Sequence, residues 1–187
     1  MNVYEATLPG VKIIEPQVFA DTRGFFMEGW HQVRYEAYGL PARFVQDNVS
    51  WSRHGVLRGL HFQNPHPQGK LVYVLRGEVF DVVVDVRCGS PTFGRWEGIV
   101  LSAQNRRQLY IPEGFAHGFC VTSDSALLVY KCTDFYAPHA ERGVRWDDGD
   151  LGIAWPVRDP LLSPKDAAYP RLRDIPQEWL PSYGNPG

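Results

Sequence analysis

Three basic side chains stand on short apolar segments near the middle of this 187-residue chain. Arg58 and His61 lie in one such segment, and Lys70 opens the next. Histidine can take up a proton near neutral pH, and a lysine can stabilise a negative charge that develops during a reaction. Residues three apart on a strand face opposite sides, so Arg58 and His61 share a pocket only if the chain bends at Gly59. We therefore expect an acid–base active site here, with a hydrogen-bonded core histidine and an exposed lysine as the alternative.

Many short β-branched and aromatic runs, separated by glycine and proline, predict the framework that holds these side chains. Two of them, 71–75 and 78–86, flank Arg76-Gly77 and predict a β-hairpin. The pattern is typical of an all-β sandwich or barrel with a helix over 31–38 and short helices near Lys165 and Gln177. The other predicted strands are 11–19, 43–49, 95–101, 107–111, 116–121 and 126–133.

Length and composition predict one domain over residues 1–187, with a barrel core at about 43–135 and a C-terminal wrap at about 136–187.

A net charge of −2 gives no basic field for nucleic acid or an anionic membrane surface. The three cysteines are not arranged in pairs, which argues against a disulfide framework and a zinc site. We expect a cytoplasmic protein, because no leader and no membrane-length apolar run is evident.

A second histidine follows a tight turn in the stretch Pro112-Glu113-Gly114-Phe115-Ala116-His117-Gly118-Phe119. Together with the stretch around His61, this resembles the two motifs of the cupin superfamily, which implies a double-stranded β-helix, or jelly-roll, barrel. A metal-binding cupin would carry His-x-His and then a glutamate, whereas this chain has Gln63 and Gln68 near those positions. Amides are poor ligands for transition metals, so we expect no metal and no cofactor.

Seven motif blocks in order extend the resemblance over most of the chain, from about 11 to 170. The blocks are Asp21-x-Arg23-Gly24-Phe25-Phe26-x-Glu28, Gln46-Asp47-Asn48-x-Ser50, Leu57-Arg58-Gly59-Leu60-His61-Phe62-Gln63, Gln68-Gly69-Lys70-Leu71-Val72, Pro112-x-Gly114-Phe115-Ala116-His117-Gly118-Phe119, Tyr130-Lys131-Cys132-Thr133-x-x-Tyr136 and Leu162-Ser163-x-Lys165-Asp166. In these blocks the chain resembles the dTDP-4-dehydrorhamnose 3,5-epimerase family, whose members need no cofactor.

The resemblance implies a homodimer, a dTDP-sugar substrate and a role for each matching position. His61 matches the catalytic base, Asp166 the carboxylate that pairs with it, Tyr130 the opposing acid and Lys70 the lysine beside the substrate ketone. Tyr136 matches the aromatic residue that stacks on thymine. The other substrate-binding positions are Arg23, Glu28, Gln46, Asn48, Arg58, His117, Glu141 and Lys165.

These implied roles suit the chemistry of a 4-keto sugar. Carbons C3 and C5 both flank the carbonyl, so removal of either proton gives an enolate with its charge on the C4 oxygen. A base, a cation at that oxygen and an acid on the far face are sufficient for inversion. Each residue also has a plainer reading: Tyr130 could pack in a strand, Asp166 could begin a short helix and Tyr136 could lie at a barrel edge.

The main prediction is therefore an epimerase that inverts C3 and C5 of dTDP-4-dehydro-6-deoxy-D-glucose. A relative that inverts a single carbon is the nearest rival. A metal-dependent cupin oxygenase is opposed by Gln63 and Gln68. A non-catalytic sugar-nucleotide binding module would not need a base, its carboxylate, an acid and a lysine together.

Overall fold

The computed structural model describes residues 1–184, and β-strands dominate it. The prediction of an all-β fold with a few short peripheral helices is confirmed. The strands are β1 Asn2–Glu5, β2 Lys12–Glu15, β3 Val18–Asp21, β4 Gly24–Met27, β5 Gln46–Arg53, β6 Leu57–Gln63, β7 Lys70–Arg76, β8 Glu78–Asp85, β9 Trp96–Ser102, β10 Gln108–Ile111, β11 Phe115–Val121, β12 Ser125–Cys132 and β13 Glu141–Gly143; the helices are α1 Gln32–Glu36 and α2 Pro164–Ala167, with 3-10 turns at Pro138–Ala140, Leu172–Asp174 and Gln177–Trp179.

Two sheets form the body of the protein. The six-stranded sheet has the order β1-β2-β10-β7-β12-β5, and the five-stranded sheet has the order β13-β6-β11-β8-β9. Val72 and Leu128 of the first sheet share a buried cluster with Val83 and Phe119 of the second. Because side chains alternate across each strand, the facing sheets bury one side chain in two and leave the others for the outer layers.

The predicted hairpin across Gly77 is wrong, although both of its strands exist. β7 pairs with β10 and β12, whereas β8 pairs with β9 and β11, so the chain crosses from one sheet to the other at Gly77. Gly77 has a φ of 77°, and a Cβ built there would overlap the carbonyl of Ser125. A glycine turn is local and gives the same sequence signal for a hairpin and for a crossing between sheets.

Segments outside the predicted core cover both sheets. β1 and β2 join the six-stranded sheet, and α1 packs on its outer face through Tyr35. The C-terminal segment covers the outer face of the five-stranded sheet, where Leu151, Leu172, Ile175 and Leu180 are buried. It also supplies β13, which pairs with β6 and was not predicted. No helix within 1–184 has the length and apolar character needed to cross a membrane.

Candidate active site

A pocket of about 790 Å³ lies between the sheets and collects most of the predicted site residues. Both sheets line it, together with residues 136, 141 and 163–166 of the C-terminal segment. The predicted residues that line it are Gln46, Asn48, Arg58, His61, Lys70, His117, Tyr130, Tyr136, Glu141, Lys165 and Asp166. Gln46 and Asn48 are two residues apart on β5, so their side chains lie on the same face of the strand, which is the face that lines the pocket. Its volume is in the range of small-molecule sites.

A bulge explains how Arg58 and His61 share this pocket. In the β6–β11 ladder His61 lies opposite His117, but Arg58 lies opposite Phe119, so the register shifts between them. Gly59 carries the shift with a φ of 124°, a value that favours glycine. The expected bend at Gly59 is therefore confirmed.

His61 and Asp166 form a close pair at one wall of the pocket. His61 Nε2 lies 2.7 Å from Asp166 Oδ1, and the Asp166 side chain is buried. A carboxylate can only accept, so Nε2 carries the proton and Nδ1 is the nitrogen left for a ligand. Burial opposes ionisation of Asp166, but hydrogen bonds from His61 and from the backbone N–H of Gly59 hold its pKa below the usual value.

A short helix brings Asp166 to that place. Ser163 caps α2 by accepting a hydrogen bond of 3.0 Å from the backbone N–H of Asp166, and Pro164 occupies the first turn. The plainer reading of Asp166 as part of a helix start is therefore correct for its backbone. Its side chain is nevertheless turned toward His61, which lies 105 positions earlier in the chain.

Lys70 and His117 lie deeper in the pocket. Burial lowers the pKa of Lys70, while the nearby Cys132, Asp81 and Glu141 act in the opposite direction. Within residues 1–184, no side chain accepts a hydrogen bond from Lys70 Nζ, so its ammonium is available to a ligand. This arrangement suits a cation placed to meet an oxyanion.

Asp81 is a member of this site that the sequence analysis missed. His117 donates from Nε2 to Asp81, at 2.9 Å from each carboxylate oxygen, and both side chains are buried. Burial lowers the pKa of His117, and Asp81 opposes that shift. A signal existed, because an aspartate within the apolar strand β8 must be paired when it is buried.

Tyr130 and Arg58 approach the pocket from opposite sheets. Tyr130 is on β12 of the six-stranded sheet, whereas Arg58 and His61 are on β6 of the five-stranded sheet. Burial is the main cause that raises the pKa of Tyr130, with Arg58 acting against it. The phenol is therefore protonated at neutral pH and can donate. Arg58 Nε donates to Ser52 Oγ at 3.0 Å, which fixes the guanidinium along the wall.

Glu141 joins several side chains at the rim. Its carboxylate accepts hydrogen bonds from Tyr136, Lys165 and Tyr169. Burial acts to raise the pKa of Glu141, but Lys165 and Tyr136 outweigh it and lower the pKa. Tyr136 keeps an exposed ring beside the pocket, as a residue that stacks on a planar base would need.

The two glutamines at the cupin ligand positions bind main-chain atoms. Gln63 donates to the carbonyls of His66 and Phe135 and accepts from the N–H of Ala137, and Gln68 donates to the carbonyl of Asp134. Across the described residues, no group of three or more His, Cys, Asp or Glu is placed to hold a metal ion.

Arg23 and Glu28 do not reach this pocket. Arg23 lies at the turn of the β3–β4 hairpin, where it pairs with Asp21 and its side chain is 88% exposed. Glu28 follows the same hairpin and pairs with Arg34. Within a single chain, these two predicted substrate-binding residues are separate from the others.

Comparison with known proteins links most of this chain to one family of epimerases. The family model described as dTDP-4-dehydrorhamnose 3,5-epimerase matches residues 5–174. A Shigella flexneri protein named dTDP-4-dehydrorhamnose 3,5-epimerase is 60% identical over 168 residues, which cover 89% of this chain and 93% of that protein. A Streptomyces niveus protein named dTDP-4-dehydrorhamnose 3-epimerase is 49% identical over 168 residues, 89% of this chain and 81% of that protein.

A solved structure shows that the similarity extends from the sequence to the fold. The Legionella pneumophila dTDP-6-deoxy-D-glucose-3,5-epimerase, crystallised with dTDP-4-keto-L-rhamnose, superposes with a TM-score of 0.96 at 53% identity, over 98% of this chain and 99% of that one. The predicted cupin-type barrel is confirmed by this likeness. With a family model that matches nearly the whole length and relatives above half identity, this chain belongs to the dTDP-4-dehydrorhamnose 3,5-epimerase family.

Proposed function

We propose that this protein inverts C3 and C5 of dTDP-4-dehydro-6-deoxy-D-glucose to give dTDP-4-dehydro-L-rhamnose. Family membership and the dTDP-sugar held by the Legionella relative support this substrate class. The observation that carries the proposal is the arrangement of His61 with Asp166 on one side of the pocket and Tyr130 on the opposite sheet. An epimerase needs a base and an acid on opposite faces of the same carbon.

In the proposed reaction, His61 Nδ1 takes the proton from the carbon beside the ketone. Asp166 holds the other imidazole nitrogen and stabilises the imidazolium that forms. The electron pair moves to the C4 oxygen, where Lys70 stabilises the enolate. Tyr130 then donates its phenolic proton to the opposite face of the carbon, which inverts it.

The same steps serve both carbons because each is adjacent to the C4 carbonyl. Before the second inversion, His61 releases its proton and Tyr130 regains one from solvent. Each cycle therefore exchanges a substrate proton for a solvent proton.

The nucleotide end of the substrate is assigned to the rim. Tyr136 offers a ring for thymine, while Arg58 and Lys165 offer cations for the diphosphate. Gln46, Asn48 and Glu141 contribute hydrogen-bonding groups to the same pocket. These assignments match the positions that the family resemblance implies.

The test is proton NMR of the keto-sugar substrate with the protein in heavy water. Deuterium at both C3 and C5, together with the rhamnose configuration in the product, is expected. His61→Ala should remove both exchanges. Exchange at C3 alone would instead assign the activity carried in the name of the Streptomyces niveus relative. No exchange at either carbon would refute the epimerase proposal for this substrate.

A homodimer is part of the proposal. β5 is an edge strand of its sheet, and its outward side chains Val49 and Trp51 are 68% and 61% exposed. The β3–β4 hairpin likewise exposes Phe19 and Phe26. Apolar side chains on an unpaired sheet edge favour association with another chain. A second copy of this chain would bury them.

The position of Arg23 supports the same assembly. If Arg23 binds substrate, as the family position implies, its hairpin must reach the pocket of the second copy. Co-expression of Arg23→Ala with His61→Ala tests this, because one pocket of the mixed dimer would combine an intact His61 with an intact Arg23. Activity in the mixture but in neither variant alone is expected. A monomer in light scattering, or no recovery, would contradict the dimer assignment. The cytoplasmic location stays a prediction.

A further inference from the structure

Tyr169 lies beside the proposed base, although neither the motif blocks nor the pocket lining includes it. It follows α2 by two residues, so the short segment that supplies Asp166 also supplies Tyr169. The side chain is half-buried between the C-terminal segment and the five-stranded sheet. Its ring is therefore held by the same structure that holds the carboxylate of the dyad.

Tyr169 contacts two parts of the site at once. Its ring packs edge-on against the His61 imidazole, with 5.7 Å between centroids and 71° between planes. Its hydroxyl donates to Glu141 Oε1 at 3.1 Å, the oxygen that also accepts from Lys165. Tyr169 thus connects His61 with the rim carboxylate that Tyr136 contacts.

Gly143 makes room for this ring. Gly143 lies directly opposite His61 in the β13–β6 ladder, and a Cβ built on it would overlap the Tyr169 ring. Its φ is not in the left-handed region, so space rather than backbone conformation requires a glycine here. The strand beside the base is therefore shaped to accept the tyrosine.

We propose that Tyr169 is a positioning residue that fixes the orientation of the His61 imidazole and links it to Glu141. The inference rests on the proposed role of His61 as the base. Asp166 holds only one point of the imidazole ring, at Nε2, and the ring can still tilt about that hydrogen bond. The edge of Tyr169 restrains this tilt, so that Nδ1 keeps a fixed orientation. Small errors in the aim of a catalytic group reduce turnover strongly.

Three single variants separate the ring from the hydroxyl. Tyr169→Ala removes both, and we expect kcat to fall about tenfold because the base is misaligned, while any change in KM should be no larger than in Tyr169→Phe, which loses the same hydroxyl. Tyr169→Phe keeps the ring and should rescue kcat. It loses the hydrogen bond to Glu141, so any residual defect should appear in KM. Gly143→Ala should displace the ring from the opposite side and reduce kcat like Tyr169→Ala.

A double-mutant cycle tests whether Gly143 and Tyr169 act together. In the Tyr169→Ala background, the space beside position 143 is free, so adding Gly143→Ala should cause no further loss. Additive losses would contradict the proposed fit. Thermal unfolding of every variant shows whether stability changes, and lower stability with wild-type kcat in Tyr169→Ala would reduce Tyr169 to a structural residue and overturn the inference.

NMR of the His61 side chain gives a readout that needs no substrate. The wild type and Tyr169→Phe should show one set of imidazole signals, and Tyr169→Ala should show broadened or multiple signals. An unchanged single set in Tyr169→Ala would overturn the inference. A wild type without epimerase activity would refute the proposed function instead, while the imidazole signals would still report whether Tyr169 orders His61.

Discussion

Replacing Lys70 with methionine separates catalysis from stability in this pocket. Lys70 is only 9% exposed, and its pKa is lowered chiefly by burial. Lys70→Met keeps an unbranched side chain of nearly the same length and removes the charge assigned to the enolate oxygen. Loss of one such stabilising group costs about 2.7 to 4 kcal/mol of transition-state energy, so kcat should fall roughly 10²- to 10³-fold.

The stability of Lys70→Met should not fall with its turnover. The folded protein holds the Lys70 ammonium away from water, so the free energy of unfolding of Lys70→Met should equal that of the wild type or exceed it by about 1 kcal/mol. Because burial lowers the pKa of Lys70, the free-energy cost of burying its charged form is present at neutral pH. It disappears as the pH rises from the folded pKa toward the unfolded value of about 10.4. The advantage of the methionine variant should shrink over that range.

The assay combines turnover by NMR with urea unfolding at pH 7 and pH 10. Lys12→Met is a matched control, because Lys12 lies on β2 and pairs with Glu5 outside the pocket. That control should keep wild-type turnover. A loss below tenfold in Lys70→Met, or a loss of turnover matched by a loss of stability, would refute the reasoning.

Three further predictions test other parts of the site and fold. Asp166→Asn removes the carboxylate that supports the His61 imidazolium, so turnover should fall roughly 10²- to 10⁴-fold in the NMR assay; near wild-type turnover would contradict the dyad. Tyr130→Phe removes the opposing acid, so deuterium should still enter at C3 or C5 while inversion is lost, and equal losses of exchange and inversion would count against that role. Asp85→Asn breaks the buried pair with Arg87 and should lower the free energy of unfolding by about 3 kcal/mol at pH 7. Burial opposes ionisation of Asp85, but hydrogen bonds, first from Arg87, lower its pKa, so this stability is present above about pH 3.9 and is lost as the pH falls through the folded pKa. Urea unfolding should show the gap between variant and wild type narrowing at acid pH, and a constant gap would contradict the charge argument.

The sequence predicted strands well and their pairing poorly. Alternation and β-branched runs are local signals, and they placed β7 to β12 within one or two residues. Pairing depends on partners far along the chain, so the crossing at Gly77 was mistaken for a hairpin. β13 is three residues long and has no periodicity to detect, yet it forms the edge beside His61.

The site shows the same division between local and distant information. The expected bend at Gly59 came from the spacing of Arg58 and His61 alone. No local pattern joins His61 to Asp166, and only the ordered motif blocks of the family brought them together before the structure did. Tyr169 belongs to no block, and its relation to His61 is visible only once β13 and α2 are folded against β6.

The glutamines at the cupin ligand positions bind main-chain atoms of the loop that follows β12. Ligand chemistry alone argued that Gln63 would be a poor metal ligand. The structure adds that its amide donates to Phe135 and accepts from Ala137, and so holds the loop that presents Tyr136. A histidine there has only two ring nitrogens and could not reproduce all three of the main-chain hydrogen bonds that Gln63 makes. In this chain, the position at which a metal-binding cupin carries a ligand instead orders the loop that we assign to the nucleobase.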